Sequence, residues 1–142
     1  MTAPHLVPFR VYYEDTDFSG FVYHANYLRF LERARTEFLR ALGITQSTLH
    51  RDEAGLVFVV TRLTIDYLRP ARMDDMIEVA TTVGEVRGPL VRLVQEVRRG
   101  DETLVRAEVS IVAVRAARVV RLPAGLRAAF QATMGDAAAS PP

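Results

Sequence analysis

Glu14, Asp15 and Asp17 place three carboxylates within four positions, and the run that carries them, EDTDFSG, is followed four residues after Gly20 by His24. Carboxylates this close to a histidine suit general acid–base or nucleophilic work on a carbonyl. Asp17 is the candidate base or nucleophile, with a pKa expected to rise if it points into an apolar cleft. His24 is the candidate polarising or positioning group. A helix begins just beyond, and the unpaired N–H groups of a helix's first turn can stabilise an oxyanion developing on a substrate carbonyl. Carboxylate and amides together make an acyl-transfer geometry. Two other readings of these residues stand beside it. In one, Asp15, Asp17 and Asn26 serve the turn and the helix cap, Glu14 is solvated, and His24 holds the turn against the sheet. In the other, Asp15, Asp17, Ser19 and Gly20 open a calcium loop, but its twelfth position is Asn26 where a bidentate Glu is required.

The elements that must position these groups are legible in the hydrophobic pattern. Val7, Phe9, Val11 and Tyr13 alternate with Pro8, Arg10 and Tyr12, so residues 7–13 are predicted to form a strand, with Pro8 marking an edge or a start. From Tyr27 the period becomes 3.6, and Tyr27, Phe30, Leu31, Ala34, Phe38 and Ala41 form one apolar stripe. Asn26 is the expected N-cap, Gly43 the expected stop, and Arg33 with Glu37 an i,i+4 pair. A short helix is expected over 46–54. Val57, Val59, Thr61, Leu63, Ile65 and Tyr67 then share one face of a strand that Pro70 ends. Strands over 76–86, 90–99 and 103–115 follow, joined at Gly88-Pro89 and Gly100-Asp101 by connections short enough to require antiparallel neighbours. This is an α+β arrangement: the helix lies on the concave face of a curled, mainly antiparallel sheet, and two copies can pair edge to edge. Residues 1–142 are expected to form one domain, with a core over about 6–130 and a flexible tail over 131–142.

Composition narrows the classes further. An apolar share of 49% with a mean hydropathy of +0.07 supplies a core and excludes global disorder. No apolar run reaches the roughly 18 residues of a membrane span, and MTAPHLVPFR has no basic flank of a signal peptide, so a cytoplasmic address is expected. Eighteen basic residues, all Arg, against seventeen acidic ones leave +1, a poor match to a nucleic-acid-covering surface. The absence of cysteine excludes disulfides, thiolate nucleophiles and cysteine-ligated metal. His5, His24 and His50 are dispersed, and neither metal nor cofactor is expected.

The stretches YYEDTDFSG, VYHANYLRFLERAR and TIDYLRPARMDD resemble acyl-CoA thioesterases of the 4-hydroxybenzoyl-CoA thioesterase family, in particular the bacterial branch associated with the Tol-Pal envelope system. The likeness runs over about 6–130. It implies a hotdog fold, in which a sheet wraps a central helix, with side-by-side dimers or tetramers and active sites at the dimer interface. It also implies hydrolysis of a short-chain or aromatic acyl-CoA, or of an acyl-carrier-protein thioester, without metal or cofactor. The family's catalytic carboxylate falls on Asp17, its turn glycine on Gly20, and the branch's histidine on His24. Tyr13, Gly20, Phe21, Tyr27, Phe58 and Val60 are the pocket candidates, Phe21 replacing a smaller aliphatic residue near the site. CoA phosphates call for arginines, and Arg87, Arg98, Arg99, Arg118 and Arg121 are available, although solvated positions account for each. Arg69, Arg72, Asp74 and Asp75 lie in a turn around Pro70 that could join a contact between dimers but reads as solvated. A hotdog enoyl-CoA hydratase or dehydratase, and a non-catalytic acyl-binding or protein-interaction module of the envelope, are the alternatives.

Overall fold

The computed structural model describes residues 3–134. Strand β1 (His5–Arg10) is followed by a loop holding two single-turn 3-10 segments, Tyr13–Asp15 and His24–Asn26, the second running directly into helix α1 (Tyr27–Ala41). Helix α2 (Gln46–Asp52) leads to strands β2 (Val57–Tyr67), β3 (Met76–Arg87), β4 (Leu90–Arg99) and β5 (Glu102–Arg115), then the short β6 (Arg118–Val119) and helix α3 (Ala124–Met134). The strands form one antiparallel sheet in the order β1-β3-β4-β5-β2, with β6 hydrogen-bonded to β5. Non-sequential neighbours β1–β3 and β5–β2 arise because the early helix must be wrapped by strands that come after it. This is the hotdog arrangement.

β1 ends three residues earlier than the alternation suggests. The Tyr12 N–H donates to Asp15 Oδ2 at 2.8 Å, which folds the chain into a 3-10 turn and puts Tyr13, 80% exposed, outside the sheet. Pro8 pairs only with β3, so its missing N–H faces the open edge.

Helix α1 buries Tyr27, Phe30, Leu31, Ala34, Phe38 and Leu39. Phe30, Leu31 and Ala34 pack among Ile77, Val79, Val97 and Val105, while Phe38 and Leu39 join a second cluster with Val91, Leu93, Val109 and Phe130 of α3. The helix stops where expected: Gly43, at φ +82, donates to Arg40 O and Ile44 donates to Leu39 O, the two bonds of a Schellman cap. Two local expectations fail. Asn26 is itself helical and sends its side-chain amide to Asp15 Oδ1 at 2.9 Å instead of capping α1. Glu37 pairs with Arg40, one turn on, rather than with Arg33.

A bulge between Val60 and Arg62 interrupts β2 and reverses its faces. Phe58 before it and Leu63 and Ile65 after it all turn inward, so the single uninterrupted face read from the sequence does not exist. Residues 131–134, expected in a flexible tail, belong to α3; the rest of that tail lies outside the described residues.

Candidate active site

Two aspartates build the turn that precedes α1, and they do so differently. Asp15 is only 8% exposed; one oxygen accepts from the Tyr12 N–H and the other from Asn26 Nδ2, while its carbonyl accepts from the Tyr23 N–H. It ties the end of β1 to the start of the helix. Asp17 heads an Asx-turn in which Oδ1 accepts from both the Ser19 N–H, at 2.8 Å, and the Ser19 hydroxyl. Gly20 closes the turn at φ +85, donating to Asp17 O, and the Asp17 N–H returns to Phe21 O. A bridge from Thr16 to Val22 closes this hairpin, and one from Phe21 to Arg72 straps it to the segment after β2.

An open cleft of about 310 Å³ lies against this turn, with Asp17, Phe21, His24 and Tyr27 on one side and Tyr67 and the residues up to Pro70 on the other. The His24 ring stands edge-on to Tyr67, centroids 6.2 Å apart, and the Tyr67 hydroxyl donates to His24 O at 2.8 Å. The Tyr27 hydroxyl accepts from the Ala71 N–H at 3.1 Å, fixing the floor. Because the 3-10 segment runs into α1, the N–H groups of His24 and Ala25 lead the combined helix and have no preceding turn to bond.

The electrostatics correct one expectation. The Ser19 hydroxyl, and after it the Ser19 N–H, hold the Asp17 carboxyl below its ordinary value, with a smaller contribution from His24. Solvent reaches the carboxylate within one chain, so the burial that would raise its pKa is outweighed. The Tyr27 phenol is pushed up, chiefly by burial, and so is that of Tyr67, leaving both as protonated groups at neutral pH.

Asp17, Phe21, His24 and Tyr27 therefore meet at one cleft, and Gly20, which is not in its lining, shapes the turn that carries Asp17 and Phe21. Tyr13, Phe58 and Val60 do not join them within one chain. Tyr13 points to solvent, Phe58 lies 6.0 Å from the ring of Phe130 in the far cluster, and Val60 is exposed on the sheet's edge strand. Sequence reasoning missed Ser19, Tyr67 and Arg69. Ser19 was legible as the Asx-turn partner two residues after Asp17; Tyr67 was assigned to the shared face of β2 that the bulge dissolves. Among the described residues no group of three His, Cys, Asp or Glu side chains is arranged to hold a metal ion.

A sheet curled about one helix, with a carboxylate turn and a histidine beside a cleft at that helix's entrance, defines a hotdog protein. The chain belongs to the thioesterase superfamily, which residues 19–106 match. It is 47% identical over 125 residues to the acyl-CoA thioesterase YbgC of Haemophilus influenzae, covering 87% of this chain and 91% of that protein. It is 45% identical over 108 residues to the acyl-CoA thioester hydrolase YbgC of Escherichia coli, covering 75% and 79%. Among solved structures, a probable thioesterase from Bartonella henselae superimposes with a TM-score of 0.82 at 40% identity, covering 85% of this chain and 100% of that one.

Proposed function

We propose that this protein is an acyl-CoA thioesterase, with Asp17 as catalytic base or nucleophile and His24 as its polarising partner. The observation that carries the reading is the meeting of Asp17 and His24 at one cleft beside the entrance of the helix, in a chain so close to the YbgC enzymes. The thioester carbonyl oxygen sits at the helix entrance, where the N–H groups of His24 and Ala25 take up the charge that develops on it. Asp17, an ionised carboxylate at neutral pH whose charged form Ser19 favours further, attacks the carbonyl carbon or takes a proton from the water that does. The C–S bond then breaks and the thiolate leaves and is protonated; where water attacked, the acid is released directly, and where Asp17 attacked, water hydrolyses the Asp17–acyl anhydride to free the acid and restore the carboxylate. The neutral Tyr27 and Tyr67 wall the acyl side together with Phe21.

Short aliphatic or aromatic acyl groups fit this volume, with acyl-carrier-protein thioesters as the second substrate class. A homodimer or homotetramer in the cytoplasm is the working form, and the Tol-Pal association is a further part of the proposal, tested by co-purification with the components of that system. No helix among the described residues is long and apolar enough to cross a membrane.

The test is release of free thiol from a panel of acyl-CoAs, read with a chromogenic reagent, alongside hydration of enoyl-CoA in the same samples. Asp17→Asn keeps the size and the turn but removes the charge, so turnover is expected to fall by about 10³-fold or more while the fold is retained. Full turnover in that variant removes Asp17 from the mechanism. No activity on any thioester, or activity confined to enoyl-CoA, removes the thioesterase reading.

A further inference from the structure

Tyr67 lines the Asp17 cleft, but its hydroxyl is spent on backbone, donating to His24 O at 2.8 Å. The chemistry above uses the ring as a wall and gives this hydroxyl no task. The fold takes trouble to deliver it. Tyr67 is the last residue of β2, and the bulge between Val60 and Arg62 sets its face: Leu63 and Ile65 turn inward beyond the bulge, and Tyr67, two positions on, stands opposite buried Val105. The chain is then anchored at once, since the N–H groups of Leu68 and Arg69 both donate to Leu104 O, at 2.8 and 3.0 Å. The ring packs edge-on to Tyr27, with centroids 5.6 Å apart, and edge-on to His24.

Tyr27 makes the reverse tie. Its hydroxyl, carried on α1, accepts from the Ala71 N–H beyond β2, while the Tyr67 hydroxyl, carried on β2, reaches back to the helix entrance. The Tyr27 tie is buried and holds the fold; Tyr67 is half-exposed, so its hydroxyl is not needed to satisfy a dry core. The acceptor decides what the exposed tie does. His24 O belongs to the peptide group whose nitrogen is that of Ala25, one of the two leading N–H groups of the combined helix. A peptide group is planar, and resonance couples its oxygen to its nitrogen. Holding the oxygen therefore fixes the plane and the direction of the Ala25 N–H. A hydrogen bond accepted at that oxygen also polarises the group and makes the N–H a stronger donor. Burial pushes the Tyr67 phenol above its ordinary value, so it remains a donor at neutral pH.

Resting on the thioesterase reading, we propose that Tyr67 is a positioning residue of the reaction, whose hydroxyl locks and polarises the His24–Ala25 peptide group that meets the oxyanion. It acts through the Ala25 N–H and not on the reacting atoms. The consequence is kinetic. A ground-state carbonyl draws little on that N–H, whereas the transition state, with charge on the oxygen, draws on it strongly, so the hydroxyl contributes to kcat and not to KM. Deleting an oxyanion donor outright costs about 10²–10³ in kcat. Here the N–H stays and loses only its support, one neutral hydrogen bond, so the expected loss is about tenfold.

Tyr67→Phe keeps the ring and its packing and removes the donor. Across a series of acyl-CoAs of increasing chain length, kcat is expected to fall about tenfold by one common factor, with KM held within about twofold. A second readout does not depend on turnover. A ketone analogue of the substrate, with a methylene in place of the thioester sulfur and an isotopic label at the carbonyl carbon, is bound to each protein, and its carbonyl stretch is followed by infrared difference spectroscopy. The band should lie at higher frequency in Tyr67→Phe than in the parent, because the N–H pulls less on the oxygen. Unchanged kcat overturns the inference, and so does a band at the same frequency in both proteins. A loss that varies with acyl length, or that falls on KM, overturns it as well and leaves Tyr67 as a wall of the pocket. Failure of the parent to release thiol from any acyl-CoA overturns the thioesterase reading instead, and the inference with it.

Discussion

Asp15 and Asp17 stand two residues apart in one turn and do opposite work. Asp15 spends both oxygens on the fold and is shut away from solvent; Asp17 has one oxygen held by Ser19 and opens on the cleft. Residue type and spacing made both candidates, and only the direction of each side chain separates them. The Ser19 contact yields a pH prediction. Asp17 has its pKa below the ordinary value of 3.8 because Ser19 favours the ionised form, so activity that needs the carboxylate is lost only as pH falls through that lowered value. Ser19→Ala removes the hydroxyl donor, lets the pKa climb back, and should move the acid limb of kcat/KM to higher pH. A limb that stays in place would detach Ser19 from the ionisation of Asp17. Phe21 carries a second prediction at this scale. Each methylene that a pocket admits or excludes changes discrimination by about 1–3 kcal/mol, or roughly 10- to 200-fold. Phe21→Val should therefore shift the optimum of a chain-length series toward longer or bulkier acyl groups, with little change for the shortest. Parallel curves displaced by one factor would show that Phe21 does not gate the acyl site.

At the scale of elements, the periodicity located α1 and all four long strands, because each carries a recognisable hydrophobic period and has Gly or Pro close to at least one end. It failed where tertiary contacts decide. The β2 bulge turns Phe58 and Leu63 to the same side although they are five positions apart, and nothing local in VFVVTRLTIDY marks the reversal. The 3-10 turn at Tyr13 depends on a bond from Tyr12 to Asp15 that alternation cannot register. Helix α3 escaped notice because AGLRAAFQATM is rich in Ala and carries few large apolar side chains, so its stripe is faint. Phe130 is its one fully buried residue and packs on Phe58 and Leu56 of the second cluster. Phe130→Ala should then cost about 3–5 kcal/mol of stability by opening a cavity beneath α3. Denaturant unfolding would measure it, and a loss under 1 kcal/mol would mean that α3 contributes little to the core. The cleft lies against the other cluster, so the surviving folded fraction should keep its activity.

For the whole molecule, the open question is what covers the far edge of the sheet. β2 ends the strand order, eleven residues long, and Val57, Val59 and Val60 along it are exposed. A long apolar edge of this kind invites another strand, and among the described residues no strand but β5 pairs with β2. Phe18, at the tip of the Asp17 turn, is fully exposed, which is costly for an aromatic side chain with no partner to meet. A second copy adding its own β2 would extend the sheet, bury the valines, and give the cleft a wall it lacks in one chain. Phe58 and Val60, which do not reach the cleft from within their own chain, are carried on the strand that would form that junction. Sedimentation should therefore give a dimer or larger, at least twice the 15.9 kDa of one chain. Val60→Lys places a charge in the junction and should shift the equilibrium toward monomer, with activity falling in step as protein is diluted. A folded 15.9 kDa monomer with full activity would reject the pairing and leave the exposed edge without an explanation.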